Sequence, residues 1–416
     1  MPGIRAPGLR AVSERLLISA LPGEIRAAWL ADDDRLEELV ILRADKPQHL
    51  GDIYFGRVAR IDRSLEAAFV ELGLERPGFL PLAAWPGEPL SEGDAVVLQV
   101  TRAPSADKGA KLSGRVTPRP AGLEQLARGV KPPARLLQGQ DPIARVLASK
   151  APPAAIVIDD PDSFRDAQTR FAAACSALTG RLSLYSGPLD LFESEGVEAA
   201  IEALLAPRVA LPSGGFLLFE PVSSMTAIDV DSGAHAESGG AARRALAVDL
   251  EAAAAIPRQV RLRGLSGLLV IDFLPLPARA DRQQVVARLR AGLKADREPA
   301  RATPMSSSGL VELTRRRGGP ALHELQSAPP GHAGSGGGRD AVALAYAALR
   351  RLRVEALHNP AASLAIRAAA PVAAALEGAA APARAALAGR LGRVIAVQAY
   401  PAEPLPDFEI VLGSRP

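Results

Sequence analysis

The sequence predicts a multidomain α/β protein with a small all-β barrel inserted near its start. Three features carry that prediction. Two apolar runs, 225–231 and 267–273, each contain an aspartate near their end, and one long Ala/Leu/Arg-rich segment, 240–263, separates them. Between residues 51 and 117, short apolar stretches alternate with Gly, Pro and Ser turns. A Gly/Pro-rich run, SAPPGHAGSGGG at 327–338, then sets off a terminal segment.

The elements follow in order. Residues 14–43 alternate enough for two or three strands, with Leu16-Leu17-Ile18 and Leu39-Val40-Ile41-Leu42 as their apolar parts. In the next unit, strands near 53–61, 66–72, 78–81, 95–100 and 111–113 fit a small Greek-key barrel of the OB kind. Residues 118–137 lose periodicity, with prolines at 118, 120, 132 and 133. A mixed stretch follows: helix 142–149, strand 155–158, helix 161–178, strand 182–185 and helix 193–205. The block 207–326 holds the two aspartate runs. Val- and Ile-rich runs bounded by Ser and Gly read as buried parallel strands. The segment between them reads as a helix capped by Gly264 and bent at Pro257. Residues 278–297 form a strongly basic helix. After the 327–338 linker, 341–357 is helical, 361–388 is Ala-rich and mostly helical, and 394–399 and 408–411 close as strands.

At 416 residues the chain is long enough for several cores. A hydrophobic content of 48% with 23% charge is ordinary for a soluble globular protein. No apolar stretch reaches the length of a membrane span, and residues 1–30 carry Arg and Glu throughout, unlike a signal peptide. The single Cys175 excludes a disulfide framework and any multi-cysteine zinc site, so a cytoplasmic location is expected. The net charge is only +3, but six of the 49 basic residues are Lys and the rest Arg, whose fork suits phosphate. Nucleic acid is therefore a permitted partner, though the charge alone does not demand one.

The aspartates set the chemistry. A strand–helix–strand unit with its usual right-handed crossover brings the two strands side by side and puts Asp229 and Asp272 at one sheet edge. Carboxylates converging there form a hard-oxygen site suited to Mg²⁺, which polarises phosphoryl oxygens and activates water. Either aspartate alone reads more naturally as a strand cap or a turn starter; the matched pair gives the metal reading equal weight.

With those residues in view, the chain resembles the ribonuclease E/G family, nearer its ribonuclease G branch. The matching segments are AIDVDSG at 227–233, LEAAAAIPRQVRLRGLSGLLVIDF at 250–273 and GLVELTRRR at 309–317. Upstream, RLSLYSGPLDLF (181–192), RVALPSGGFLLFE (208–220) and IYFGRVARIDRSLEAAFVELGLERPGFLPL (53–82) match as well. The resemblance implies an RNase H-like domain in two parts, 1–45 and 118–206, the second opening on a remnant connector. It also implies an S1/OB-fold barrel at 46–117, a DNase I-like catalytic domain at 207–326, the linker, and a small C-terminal α/β domain at 339–416. It implies catalytic, Mg²⁺-holding roles for Asp229 and Asp272, with Mn²⁺ as a substitute metal. Asp231 stands where the family has an Asn that assists at the metal. Phe69, Phe79 and Lys108 match the S1 positions that contact single-stranded RNA, where aromatic faces stack on bases and Lys neutralises phosphate. Apart from the resemblance, both Phe residues read more naturally as barrel core. The basic helix 278–297 offers further phosphate contacts, or simply a solvated face.

The chain departs from the family in three places. The subdomain that grips a 5′-monophosphate has no counterpart, so cleavage is expected to be independent of the 5′ end. The Cys-x-x-Cys zinc link is absent, and His323 and His332 lack thiolate partners, so no zinc is expected and any homodimer forms without it. Pro275 replaces an acidic residue beside Asp272. The expected activity is Mg²⁺-dependent endonucleolytic cleavage of single-stranded RNA in processing or decay, leaving 5′-phosphate and 3′-hydroxyl ends. Two readings compete with it: a catalytically decayed RNA-binding protein of the same family, and a metal-dependent phosphoester hydrolase acting on DNA.

Overall fold

The computed structural model describes residues 14–104, 108–139, 143, 144, 147, 152–174, 176–222, 224–233, 240–327, 339–400 and 407–413. The chain opens with strands β1 (Arg15–Leu21), β2 (Glu24–Leu30) and β3 (Leu36–Arg43). Then come β4 (Ile53–Asp62), β5 (Ala67–Glu71), β6 (Gly78–Pro81), β7 (Ala95–Arg102), β8 (Lys111–Ser113), helix α1 (Leu123–Arg128) and β9 (Ala134–Leu137). The next group is β10 (Ala155–Ile158), α2 (Pro161–Ala174), α3 (Ser176–Thr179), β11 (Leu182–Leu184), α4 (Leu191–Ser194) and α5 (Val197–Leu205). β12 (Arg208–Ala210), β13 (Phe216–Pro221), β14 (Thr226–Asp231), α6 (Ala241–Leu262), β15 (Gly267–Asp272), α7 (Arg279–Leu293), β16 (Ala300–Ala302) and β17 (Leu310–Arg315) follow. The chain ends with α8 (Leu322–Gln326), α9 (Ala341–His358), β18 (Ser363–Ala369), α10 (Ala370–Glu377), α11 (Ala381–Leu391), β19 (Ile395–Tyr400) and β20 (Phe408–Gly413).

These elements form two compact units. The first gathers the described residues of Met1–Pro47, Lys150–Ala206 and Leu322–Pro416. Its larger sheet has the order β11-β10-β1-β2-β3, in which β1, β2 and β3 form an antiparallel meander and β10 and β11 add in parallel. Its smaller sheet runs β19-β18-β20. Leu21 of β1 shares one apolar core with Leu344, Leu349 and Leu352 of α9 and with Ile366 of β18. Arg26, 1% exposed, lies among Glu24, Asp190 and Glu198 with its guanidinium 4.4 Å above the Phe192 ring. A buried cation needs that company, because desolvation of an unpaired charge costs several kcal/mol.

Here the sequence reading needs correction at two points. Residues 363–369 lie within the stretch expected to be mostly helical, but they form the central strand β18. Leu364, Ile366 and Ala368 are buried at every second position against two neighbouring strands, and that sheet context outweighs the helix propensity of alanine. The expected helix 193–205 breaks into α4 and α5 at Gly196, which has φ +71°. Of the expected helix 142–149, residues 143, 144 and 147 are helical, and the others lie outside the described residues, as do Cys175, His332 and 328–338.

The second unit gathers the described residues of Gln48–Ser149 and Pro207–Ala321. Strands β4, β5, β6, β8 and β7 close a barrel, since β4 pairs with both β5 and β7. Tyr54, Val58, Val70, Leu80, Leu98 and Leu112 fill its interior. The aperiodic stretch 118–137 is not a bare connector. It contains α1, and its β9 pairs with the first residues of β4.

The rest of this unit is a six-stranded sheet of order β12-β13-β14-β15-β17-β16, antiparallel except for the β14–β15 pair. Helices α6 and α7 cover one face. Val248, Ala252, Ile256 and Val260 make the buried stripe of α6, at the three-to-four-residue spacing of an amphipathic helix. Helix α6 continues through Pro257, whose ring occupies the space left by Gly292 of α7; a Cβ there would lie 2.7 Å from the proline Cγ. Gly264 ends α6 in the left-handed region at φ +64°. Its N–H donates to Arg261 O and that of Leu265 donates to Val260 O, the paired bonds of a Schellman cap.

Candidate active site

Register decides which side chains meet. Asp229 of β14 lies directly opposite Asp272 of β15 in the parallel ladder. Strand side chains alternate between faces. Ile228, Val230, Ile271 and Phe273 therefore point into the helix-covered core, and all are at most 3% exposed. Asp229, Asp231 and Asp272 take the other face, where Asp229 and Asp272 are exposed and Asp231 half-buried. The strands were expected to be buried on both sides. They are buried on one, and this one-sided burial puts the aspartates within reach of a substrate.

The pairing continues across the sheet. Arg208 of β12 faces Leu218 of β13, Leu218 faces Asp229, Asp229 faces Asp272, and Asp272 faces Leu310 of β17. One row on the exposed face thus reads Arg, Leu, Asp, Asp, Leu. In the neighbouring row Phe216 faces Asp231, and the Arg208 guanidinium lies 3.7 Å from the Phe216 ring centroid. Sequence reading missed Arg208, Phe216, Leu218 and Leu310. The strand alternation of 216–221 and 310–315 was the available signal.

The site is electronegative. Loss of hydration, followed by the charges of Asp272 and Asp231, raises the Asp229 carboxyl above the usual carboxylate range; the Val230 N–H opposes the rise and Glu220 adds to it. Asp231 is tethered, its Oδ1 accepting from Gly233 N–H at 2.7 Å. The segment after Asp272 is held from two sides. Phe273 N–H donates to Gly309 O at 3.2 Å, and Leu274 N–H donates to Oδ1 of Asp249 at 3.1 Å. Gly309 sits at φ +94°, where an added Cβ would lie 2.5 Å from Phe273 O, so only glycine fits beside this segment. Asp249 is 0% exposed on α6, its Oδ2 has no partner, and burial pushes its carboxyl up to about 7. Pro275 is exposed just beyond.

The basic helix does not share this face. α7 packs through Val285, Val286, Leu289 and Leu293 on the side opposite the three aspartates. Arg282 and Arg290 bond backbone oxygens of Leu276, Pro277 and Ala302. The basic helix therefore offers its arginines away from the aspartate face, where the strands instead carry Arg208 and Arg301, one on each edge strand.

On the barrel, Phe69 and Phe79 face each other across β5 and β6, with ring centroids 5.9 Å apart in an edge-to-face arrangement. Both are half-buried and lie outside the barrel interior, on the outer side of their strands. Arg60 faces Phe69 and lies 4.6 Å over its ring, while Lys111 faces Phe79. Arg102 pairs with Lys111 in turn, so a band of Arg60, Phe69, Phe79, Lys111 and Arg102 crosses the barrel. Lys108 is exposed just before this band's Lys111. Sequence reading named the two rings and Lys108 but missed the flanking cations.

Comparisons with known proteins fit this geometry. The family model described as Ribonuclease E/G family matches residues 121–318, a span holding Asp229, Asp231 and Asp272. Ribonuclease E of Haemophilus influenzae is 30% identical over 83% of this chain and 46% of its own length. Ribonuclease E of Escherichia coli is 30% identical over 83% of this chain and 41% of its own. Ribonuclease G of Haemophilus influenzae is 27% identical over 73% of this chain and 79% of its own. The chain thus spans less than half the length of those two ribonuclease E relatives. No helix among the described residues is long and apolar enough to cross a membrane. By the match over 121–318 and by these relatives, the chain is similar to the ribonuclease E/G family.

Proposed function

We propose that this chain is a Mg²⁺-dependent endoribonuclease acting on single-stranded RNA, with Mn²⁺ able to substitute. The observation that carries the proposal is the in-register Asp229–Asp272 pair, with Asp231 on the same exposed face. The donors fit the metal, because all three are hard carboxylate oxygens. Among the described residues no three acidic, His or Cys side chains form a ready-made cage. Mg²⁺ does not need one, since it keeps several waters and is held by one or two carboxylates plus substrate phosphate. When bound, the cation supplies Lewis acidity to a phosphoryl oxygen and lowers the pKa of water.

The chain's own residues do the rest. Asp229 and Asp272 would hold the cation on the exposed face of the sheet, and the cation would offset their repulsion of the scissile phosphate. Asp231, restrained through Gly233, orients water or the cation with its remaining oxygen. Leu218 and Leu310 flank the pair in the same row. In-line attack of water on phosphorus forms the new P–O bond as the P–O3′ bond breaks; the water's proton is lost to solvent and the departing 3′-oxygen gains one, leaving a 5′-phosphate and a 3′-hydroxyl. The band around Phe69 and Phe79, with Lys108, clamps the RNA strand, the rings stacking on bases and the cations on phosphates.

Several features support the wider reading. The barrel's closure suits an S1/OB domain at 46–117. The strand order β3-β2-β1-β10-β11 suits an RNase H-like domain built from 1–45 and the later part of 118–206, whose opening connector, α1 and β9, joins the barrel instead. The one-sided sheet with two helices suits a DNase I-like catalytic domain at 207–326, and β18–β20 suit a small C-terminal domain at 339–416. The 327–338 linker carries no cysteine, so a homodimer would form without shared zinc, in the cytoplasm. The short α1–β9 stretch offers no separate phosphate-gripping subdomain, which favours cleavage independent of a 5′-monophosphate. Pro275, where the family places an acidic residue, favours a second reading as a decayed RNA binder. Mg²⁺-dependent cutting of single-stranded RNA by the wild type, abolished by Asp229→Asn, decides for the enzyme. Binding without cutting decides for the binder.

A further inference from the structure

We propose that Arg208, braced by Phe216, binds the RNA phosphate next to the scissile one, so that the strand runs from the aspartate pair across β13 toward β12. This rests on the ribonuclease reading above. Arg208 shares its register row with Asp229 and Asp272. Neighbouring strands lie about 4.8 Å apart, which sets Arg208 about 10 Å from Asp229 across that row. The carboxylate pair claims the scissile phosphate, and the arginine stands where the adjoining backbone would pass.

Charge makes the assignment directional. Asp229, Asp231, Asp272 and Glu220 give the face a field that repels a polyanion, so a nearby cation is needed to seat one. The strands of this face carry two arginines, Arg208 and Arg301. Arg301 pairs through Thr314 with Leu268, four residues from Asp272 and so about 13 Å along the strand from the aspartate row. Arg208 is the cation that lies in the row. It is exposed, and among the described residues no carboxylate pairs with it. Its guanidinium rests flat enough on Phe216 to sit 3.7 Å from the ring centroid, which restrains the side chain while leaving N–H edges for a forked phosphate contact.

The test is RNA retention by the full chain across a salt series, in the Asp272→Asn background, alongside steady-state cleavage in the otherwise native chain. Arg208→Gln is expected to raise KM about tenfold, with the loss falling on KM rather than kcat. It is also expected to flatten the plot of log affinity against log salt by about 0.7, the share of one phosphate contact on a single strand. Arg208→Lys keeps the charge and should retain the native slope. Phe216→Leu should raise KM with the slope unchanged. A wild type that cleaves while Arg208→Gln and Arg208→Lys match it in slope and KM overturns this assignment and leaves the ribonuclease reading standing. A wild type that neither retains nor cuts RNA overturns both.

Discussion

Replacing Asp249 by Asn isolates the energetic burden of the buried carboxyl behind the site. Asp249 is fully buried on α6, accepts one hydrogen bond from Leu274, and leaves Oδ2 unpaired. Burial raises its pKa from 3.8 to about 7. At about 1.4 kcal/mol per pH unit, that rise makes the fold about 4 kcal/mol less stable against unfolding with the carboxyl ionised than with it protonated. The folded state binds this proton more tightly than the unfolded chain does. Stability is therefore lost as pH rises from about 4 to about 7, and the loss levels off above that. Asn keeps the acceptor for Leu274 N–H and cannot ionise, but it buries an unpaired N–H₂ costing about 1–3 kcal/mol. The expected net result is a variant more stable than wild type by about 1–3 kcal/mol at pH 8, with the advantage vanishing or reversing near pH 4. Urea unfolding of both proteins at pH 4, 6 and 8, followed by circular dichroism, measures the difference. A gap that stays constant with pH, or that widens toward acid, refutes the argument. Asp249→Leu removes the acceptor too, and should lower cleavage while Asp249→Asn retains it.

Three further outcomes follow from the same geometry. Asp231→Asn removes a negative charge beside Asp229 and should raise the Mg²⁺ midpoint for cleavage about threefold, as expected for one partly screened charge; superimposable Mg²⁺ titrations would count against a metal role for Asp231. Phe69→Ala and Phe79→Ala should each weaken single-stranded RNA binding by about 1–3 kcal/mol. Because the rings touch, the double variant should lose less than the sum of the two; unchanged affinity in a filter-binding assay would remove the band from the RNA path. Substrates bearing a 5′-monophosphate and a 5′-triphosphate should be cut at rates within about twofold, and a large advantage for the monophosphate would show that 5′-end recognition persists.

Much of the site was legible before any fold was known. The runs ending at Asp229 and Asp272 carried the strand signal in their Val and Ile content, and the 240–263 segment carried the helix signal. Gly264 marked the helix end because only a left-handed residue completes the paired cap. The barrel strands showed through the Gly and Pro turns between them. What stayed hidden depends on register. Nothing local to Arg208 says that it stands in line with Asp229, since that follows from two successive antiparallel pairings. Nor does the charge of 278–297 tell which side of the sheet the helix takes; the buried stripe Val285, Val286, Leu289 and Leu293 decides it. Strand β18 was misread because alanine favours helices locally, while its place between β19 and β20 is a tertiary fact.

The most direct test of the two-carboxylate account is cleavage of a 5′-labelled, A/U-rich single-stranded RNA in Mg²⁺ by wild type, Asp229→Asn and Asp272→Asn. The account predicts internal cutting by the wild type that EDTA stops, with each substitution lowering the rate by at least about a hundredfold while RNA binding persists. Cutting by either variant at the wild-type rate, or wild-type cutting indifferent to EDTA, would contradict it.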